Sequence, residues 1–271
     1  MNKLAEIIAT RRLRITAAQA SVSRESVARA AHNQRAQLRS HALRNALSRA
    51  GVNIIAEFKR RSPSRGSIKA AADPELMARE YEKGGAAALS VLTEPDYFDG
   101  SLHDLQRARA ATGLPILRKD FIVDEYQVYE SAAASADALL LIVAALNDRE
   151  LCSLRQLTED NLGMDALVEV HTADEMKRAI DCGATIIGVN NRNLATFEVS
   201  LDTSIALAAH ATSGSILISE SGIETADDIR RLRAAGFSGF LIGETLMRSA
   251  NPANTIAELA GRTDAASCPA K

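Results

Sequence analysis

Eight short, nearly unbroken apolar runs constrain this chain more than any other feature; they lie at residues 52–58, 87–92, 115–118, 138–143, 166–170, 185–189, 215–219 and 237–242. Runs rich in Ile, Leu and Val without polar alternation are what parallel strands covered on both faces show, because neither face meets water. The intervals between them carry helix starts. Asp73-Pro74 puts a capping side chain before a Pro at the first helical position, Thr172 to Glu175 reads as a capping box, and Asn147 to Glu150 and Thr225 to Asp228 read as variants of it. Gly84-Gly85, Gly113, Gly183 and Gly236 stand shortly before the next strand, where a left-handed residue can end a helix. Eight strand-then-helix units favour a single closed (β/α)8 TIM barrel over an open doubly wound sheet, which has fewer strands and a GxGxxG turn after the first. No such turn occurs in the sequence.

With 271 residues, 46% of them hydrophobic, the chain matches one barrel of the usual length of about 250 residues. The expected organisation is an N-terminal helical extension packed on the barrel over 1–50, a catalytic barrel over 51–261 and a disordered tail over 262–271, which is small, polar and aperiodic. The first fifty residues hold Lys3 and nine Arg against Glu6 and Glu25, a composition that imitates an organelle transit peptide. Val27, Ala31, Leu38, Ala42, Leu43 and Leu47 nevertheless recur at helical spacing up to the first strand, which favours an integral helix.

A net charge of −2 gives no electrostatic reason to expect nucleic acid or an anionic membrane as partner, so a small molecule is the expected ligand. Cys152, Cys182 and Cys268 are odd in number and widely spaced, which suggests neither a disulfide framework nor a zinc site and fits a reducing cytoplasm. No run approaches the roughly 18–20 apolar residues of a membrane span, and the N-terminus lacks the apolar core of a signal peptide. A cytoplasmic protein is expected.

In a barrel of this kind the active site lies where the strands end, so polar residues that abruptly terminate apolar runs carry the chemistry. Glu57 and Lys59 in IIAEFKRRSPSRG are two apart and share a side of the first strand. ILRKDF, VEVH, GVNNRN and ISESG place Lys119, Glu169, Asn190, Arg192, Glu220 and Ser221 at equivalent heights. Lys and Glu crowded in a partly dry cavity shift one another's pKa values, the basis of acid–base catalysis near neutral pH. Each residue alone reads as well as a solvated strand end; so many together beside the most apolar segments do not. Ser62 to Gly66, Glu220 to Gly222 and Ile242 to Thr245 add Gly and Ser to the loops after strands one, seven and eight, where backbone N–H groups can approach a phosphate. Ordinary turn chemistry is the bland alternative. The five His are scattered, His171 reading as the residue before the Thr172 cap, so neither a metal site nor a Ser-His-Asp arrangement is expected.

IIAEFKRRSPSRG, ALSVLTEPDYFDGS, LPILRKDFIVDEYQVYE, LVEVHTADE, IIGVNNRNL, ISESGI and FLIGETLMR together resemble the indole-3-glycerol phosphate synthase family, in the family's order and from residue 50 to residue 250. The resemblance implies ring closure of 1-(2-carboxyphenylamino)-1-deoxyribulose 5-phosphate to indole-3-glycerol phosphate, with loss of CO2 and water, in tryptophan biosynthesis. It implies a small phosphorylated substrate, no cofactor, no metal and a monomer. By position, Lys119 resembles the general acid, Glu169 and Glu57 the groups that support the cationic intermediate and later proton transfers, and Asn190 and Glu220 the groups that orient substrate, with Arg192 near its anionic groups and Ser221 among the substrate-binding residues. Lys59 pairs with Glu57, holds the substrate's anionic groups or acts in dehydration; the sequence leaves these three roles open. Ser62, Gly222 and Gly243 match phosphate-gripping positions, whereas Glu244 stands where some relatives have Ser, so only its backbone is expected to help. The alternatives are another phosphate-binding barrel such as phosphoribosylanthranilate isomerase, against which the Lys59 and Lys119 pair and the long N-terminal segment speak, and a non-catalytic ligand-binding barrel, against which the filled catalytic positions speak.

Overall fold

The computed structural model describes residues 3–63, 66–193 and 196–262. Eight parallel strands, β1 (Asn53–Phe58), β2 (Ala88–Leu92), β3 (Ile116–Lys119), β4 (Ala138–Ile142), β5 (Asp165–Val170), β6 (Ile186–Asn190), β7 (Ile216–Glu220) and β8 (Gly239–Ile242), form a closed barrel. Each apolar run became one strand, in order. Closure comes from β1 lying between β8, with Asn53 opposite Gly239, and β2, with Glu57 opposite Ser90.

Alternate residues of the strands enter two separate apolar clusters, which is why the runs show no alternation. Ile55, Ala88, Leu117, Leu140, Leu167, Ile186, Ile218 and Leu241 fill the barrel interior. Ile54, Ala56, Val91, Leu139, Val168, Ile187 and Phe240 pack outward among the surrounding helices. Truncating one of the interior leucines to Ala would cost about 2–5 kcal/mol, since such a core closes poorly around a void.

Three helices precede the barrel: α1 (Lys3–Ser21), α2 (Arg24–Arg35) and α3 (Ala42–Leu47). The apolar spacing over 27–47 was expected to form one helix, but the chain turns through Leu38 and reverses at His41, whose φ is 51°. Arg35 fixes that turn by donating from Nε to Leu162 O (3.0 Å) and from Nη2 to Gly163 O (3.0 Å) and Arg39 O (2.9 Å). Helix α3 then inserts Leu43 and Leu47 into the interior cluster from the N-terminal ends of the strands, and Asn53 ties it there by donating to Leu47 O at 2.9 Å.

Helix α1 lies across the opposite end. Its Arg11 reaches the buried Asp120 (2.7 Å), Arg14 reaches Asp96 (2.6 Å), and Lys3 stands 4.4 Å from the centre of the Tyr97 ring. The basic composition that imitates a transit peptide therefore has structural partners on the barrel.

The expected caps form, with one difference. Asp73 accepts from Glu75 N and Leu76 N, and Asn147/Glu150 and Thr225/Asp228 are reciprocal boxes. Thr172 accepts from Glu175 N, but the Glu175 carboxylate turns back one residue further, accepting from the His171 backbone N–H at 2.7 Å. Gly85, Gly183 and Gly236 are left-handed, with φ of 79°, 81° and 101°, whereas Gly84 is right-handed and Gly113 does not share the left-handed conformation, since its helix already ends at an extended Thr112. Arg262, read as the start of a tail, donates to Gly85 O (2.7 Å) and Val52 O (3.1 Å); the rest of that expected tail, 263–271, lies outside the described residues.

Candidate active site

The interior residues change character two positions along the strands. Ile55 is followed on the same face by Glu57, Leu117 by Lys119, Leu167 by Glu169, Ile218 by Glu220, and Ile186 by Gly188 and then Asn190. Apolar layers below and a polar layer above make a floor on which charged groups stand. All eleven expected site residues, Glu57, Lys59, Ser62, Lys119, Glu169, Asn190, Arg192, Glu220, Ser221, Gly222 and Gly243, line one cavity of about 960 Å³ at the C-terminal ends of the strands.

Lys119 Nζ lies 2.8 Å from Glu169 Oε2 and 3.1 Å from Glu220 Oε2. The first contact is a hydrogen bond; the second lacks the alignment, and neither Glu220 oxygen has a hydrogen-bond partner. Lys59 Nζ is 2.6 Å from Glu57 Oε1. Two glycines leave room for the carboxylates: a Cβ at Gly188 would stand 2.1 Å from Glu220 Oε1, and one at Gly243 would stand 2.3 Å from Glu57 Oε1.

Burial alone would drive the Lys119 ammonium to lose its proton, yet the attraction of Glu169, Glu220 and Glu57 outweighs it and holds Lys119 above the ordinary lysine range. Burial likewise opposes ionisation of Glu169, but Lys119 and then His171 overcome it and hold that carboxyl below its usual range. Glu220 goes the other way. Burial, reinforced by the Glu169 charge, exceeds the pull of Lys119 and raises it to about 8. Crowding was expected to bring these groups toward neutrality; only Glu220 moves there, while Lys119 and Glu169 move apart and form a lasting ion pair.

The loops around this floor are tied together. Asn190 Oδ1 accepts from Ser221 Oγ (3.0 Å) and from Arg192 N (3.0 Å), joining the loops after β6 and β7. Asn191 donates to Ser219 Oγ (2.9 Å) and Ser221 O (3.1 Å), supporting Ser221 in the left-handed region at φ 69°. Gly222 follows at φ 78°, and a Cβ there would meet Val199 Cγ1 at 2.5 Å. Gly243 opens the short helix Glu244–Arg248, and Glu244 pairs with Arg248 at 3.2 Å. Ser62 is buried on the loop after β1; Ser64 and Arg65 of the same loop lie outside the described residues.

The sequence did not point to four apolar residues of the cavity wall, Leu4 and Ile7 from α1 with Phe98 and Phe121, the last two with ring centres 6.1 Å apart. Leu4 and Ile7 are spaced as a helix face, but which surface that face would meet is a tertiary fact. Nor did it place His171, whose Nε2 stands 3.5 Å from Glu169 Oε1. Among the described residues no group of three or more His, Cys, Asp or Glu could hold a metal ion.

Residues 4–259 match the sequence profile of the family described as indole-3-glycerol phosphate synthase. The chain belongs to the indole-3-glycerol phosphate synthase family. Relatives of that name agree over nearly the whole length: the protein from Mycolicibacterium vanbaalenii is 46% identical, covering 98% of this chain and 96% of its own, and that from Carboxydothermus hydrogenoformans is 43% identical, covering 93% and 97%. The protein from Lachnoclostridium phytofermentans is 50% identical over 76% of this chain and 75% of its own. Among solved structures, a 3-hexulose-6-phosphate synthase superposes with a TM-score of 0.62 at 13% identity, covering 79% of this chain and 100% of that one, and the thiamine phosphate pyrophosphorylase of Pyrococcus furiosus with 0.59 at 16%, covering 81% and 96%. At such identities they share the barrel alone. For a member of the synthase family, the polar floor lies where a barrel enzyme keeps its chemistry.

Proposed function

We propose that this chain performs the reaction that names its family, converting 1-(2-carboxyphenylamino)-1-deoxyribulose 5-phosphate to indole-3-glycerol phosphate, CO2 and water as a step of tryptophan biosynthesis. The observation that carries the proposal is the Lys119 ammonium, 2.8 Å from Glu169 and buried beneath the cavity mouth, because the ring closure needs a proton delivered to the substrate carbonyl oxygen as the aromatic carbon attacks it. Lys119 is the proton donor in this reading. Glu169 and Glu57 offset the positive charge that develops on the ring and its nitrogen; departure of CO2 restores the arene, and a carboxylate then accepts the one proton that the former methylene carbon gives up as water leaves. Lys59, 2.6 Å from Glu57, is placed to hold an anionic group of the substrate or to assist departure of the hydroxyl.

The remaining wall accounts for the rest of the substrate. Ser62, Gly222 and Gly243 fit the phosphate, with glycine letting backbone N–H groups approach an oxyanion. Arg192 sits near an anionic end, Asn190, Glu220 and Ser221 orient the sugar chain, and the apolar side of Leu4, Ile7, Phe98 and Phe121 suits the aryl ring. The isomerase and the non-catalytic barrel are not favoured by a family match that spans residues 4–259. The same reading places the enzyme in the cytoplasm as a monomer, and light scattering that returns twice the chain mass would contradict the second point.

The test is to add the carboxyphenylamino-deoxyribulose phosphate to the purified protein and follow indole fluorescence. Product should accumulate with one CO2 released per indole formed. A flat trace with a folded protein would remove the assignment.

A further inference from the structure

His171 is the first residue beyond β5 and stands outside the substrate cavity, whose walls do not include it among the described residues. Its ring is nonetheless directed at the site. Nε2, buried and without a hydrogen-bond partner, is 3.5 Å from Glu169 Oε1, while Nδ1 is 3.2 Å from Glu175 Oε2. The same Glu175 oxygen accepts the His171 backbone N–H at 2.7 Å, so ring and backbone are pinned together at the start of the helix Ala173–Asp181. This explains why the expected capping box is only half made: the carboxylate that would close it is engaged by His171 instead.

We propose that His171 is a positioning residue for the ring closure: as an imidazolium set between Glu175 and Glu169, it keeps Glu169 ionised and turned so that its other oxygen meets Lys119. The inference rests on the reading of Glu169 as a catalytic group. A doubly protonated ring presents a donor to each neighbour, whereas a neutral ring would have to face one of the two carboxylates with a lone pair. The surrounding charges agree. Burial disfavours the imidazolium, but the bond to Glu175 and the charges of Glu169, Glu175 and Glu220 outweigh it, so His171 holds its proton more tightly than an ordinary histidine. Across a smaller cavity that borders His171 stand Arg192 and Glu198, of opposite sign.

The test compares His171→Gln, which keeps an amide N–H but no charge, with the parent enzyme across the pH range of activity. Because His171 does not wall the cavity, KM should change by less than about threefold while kcat falls about ten- to a hundredfold, the size expected when a catalytic group is mis-set. The acid limb of kcat, set by Glu169 ionisation, should move to higher pH, since removing a nearby cation makes that carboxylate easier to protonate. An unmoved acid limb together with near-parental kcat would overturn the role of His171, as would a fall in kcat that only tracks loss of folded protein. Glu169→Gln serves as the control: if it is inactive while His171→Gln behaves as the parent, only the His171 inference fails; if it is active, the reading of the site fails with it. Imidazole nitrogen shifts in the unaltered, isotope-labelled enzyme provide a measurement that needs no variant. Two protonated ring nitrogens at neutral pH support the proposal, and a neutral His171 ring overturns it.

Discussion

Strand β3 carries two buried ion clusters back to back, and they differ in how completely their polar atoms are satisfied. On the helix-facing side, Arg118 donates to Thr93 Oγ1 (3.0 Å), Gln127 O (3.2 Å), Ser131 Oγ (3.1 Å) and Asp120 Oδ2 (2.9 Å) and pairs with Glu130 at 2.8 Å. Asp120 accepts in addition from Arg11 (2.7 Å), Thr93 (2.6 Å) and Phe121 N (2.8 Å). On the cavity side, one residue along, Lys119 serves three carboxylates, and neither oxygen of the Glu220 carboxylate has a hydrogen-bond partner. Among the buried side-chain atoms of the helix-facing cluster only Nε of Arg11 lacks a partner, and the bonds that engage every polar atom of Arg118 and Asp120 fix the strand. An incomplete network keeps proton donors and acceptors available, at a cost in stability. The cluster on the helix side holds β3 in place beneath the cluster on the cavity side.

The largest expected effect breaks the satisfied side. Arg118→Met should lower unfolding stability in denaturant by about 3–5 kcal/mol, because Asp120 and Glu130 lose a buried partner, while turnover per folded molecule stays within a few-fold of the parent. Loss of turnover without loss of stability would erase the distinction between the clusters. A smaller effect comes from crowding the cavity side. Gly188→Ala places a Cβ 2.1 Å from Glu220 Oε1, and because that carboxylate is buried it must shift against Lys119. Its kcat/KM should fall by about tenfold, or about 1.4 kcal/mol of transition-state stabilisation. Unchanged kinetics would show that the position of Glu220 is immaterial.

The smallest effect sharpens the electrostatics. Glu220 binds its proton more tightly folded, at about 8, than unfolded, so its contribution to stability is present below the unfolded carboxylate pKa and is lost as pH rises through 8. Glu169 is held low, so its contribution is present above the unfolded value and is lost only in acid. Relative to the parent, Glu220→Gln should therefore gain stability between neutral and alkaline pH in thermal melts, and Glu169→Gln should not. Parallel behaviour of the two variants would mean that the carboxyls share one environment.

The barrel was legible because its strands are covered on both faces, which writes them as eight apolar runs, and the site was legible where polarity interrupts them, at Glu57, Lys119, Glu169, Asn190 and Glu220. What the sequence could not show depends on neighbours distant along the chain. Gly188 reads as an ordinary strand residue and Gly243 as a phosphate-gripping one until Glu220 and Glu57 are seen to occupy the space their missing side chains leave. Leu4 and Ile7 are three apart, as on one face of a helix, and only the landing of α1 across the barrel mouth makes them part of the cavity. The break between α2 and α3 was hidden because Leu38 keeps the helical spacing while the chain around it turns on Arg35. His171 was read by its distance from a helix cap, and its relation to Glu169 appears only once β5 and the following helix are placed.

Catalysis by the unsatisfied cluster is tested most directly by the rate of indole-3-glycerol phosphate formation by Lys119→Ala at saturating substrate, beside its unfolding curve. The turnover number should fall by about a thousandfold or more, equivalent to about 4 kcal/mol, with a cooperative transition that shows an intact fold. Turnover within tenfold of the parent would contradict the account.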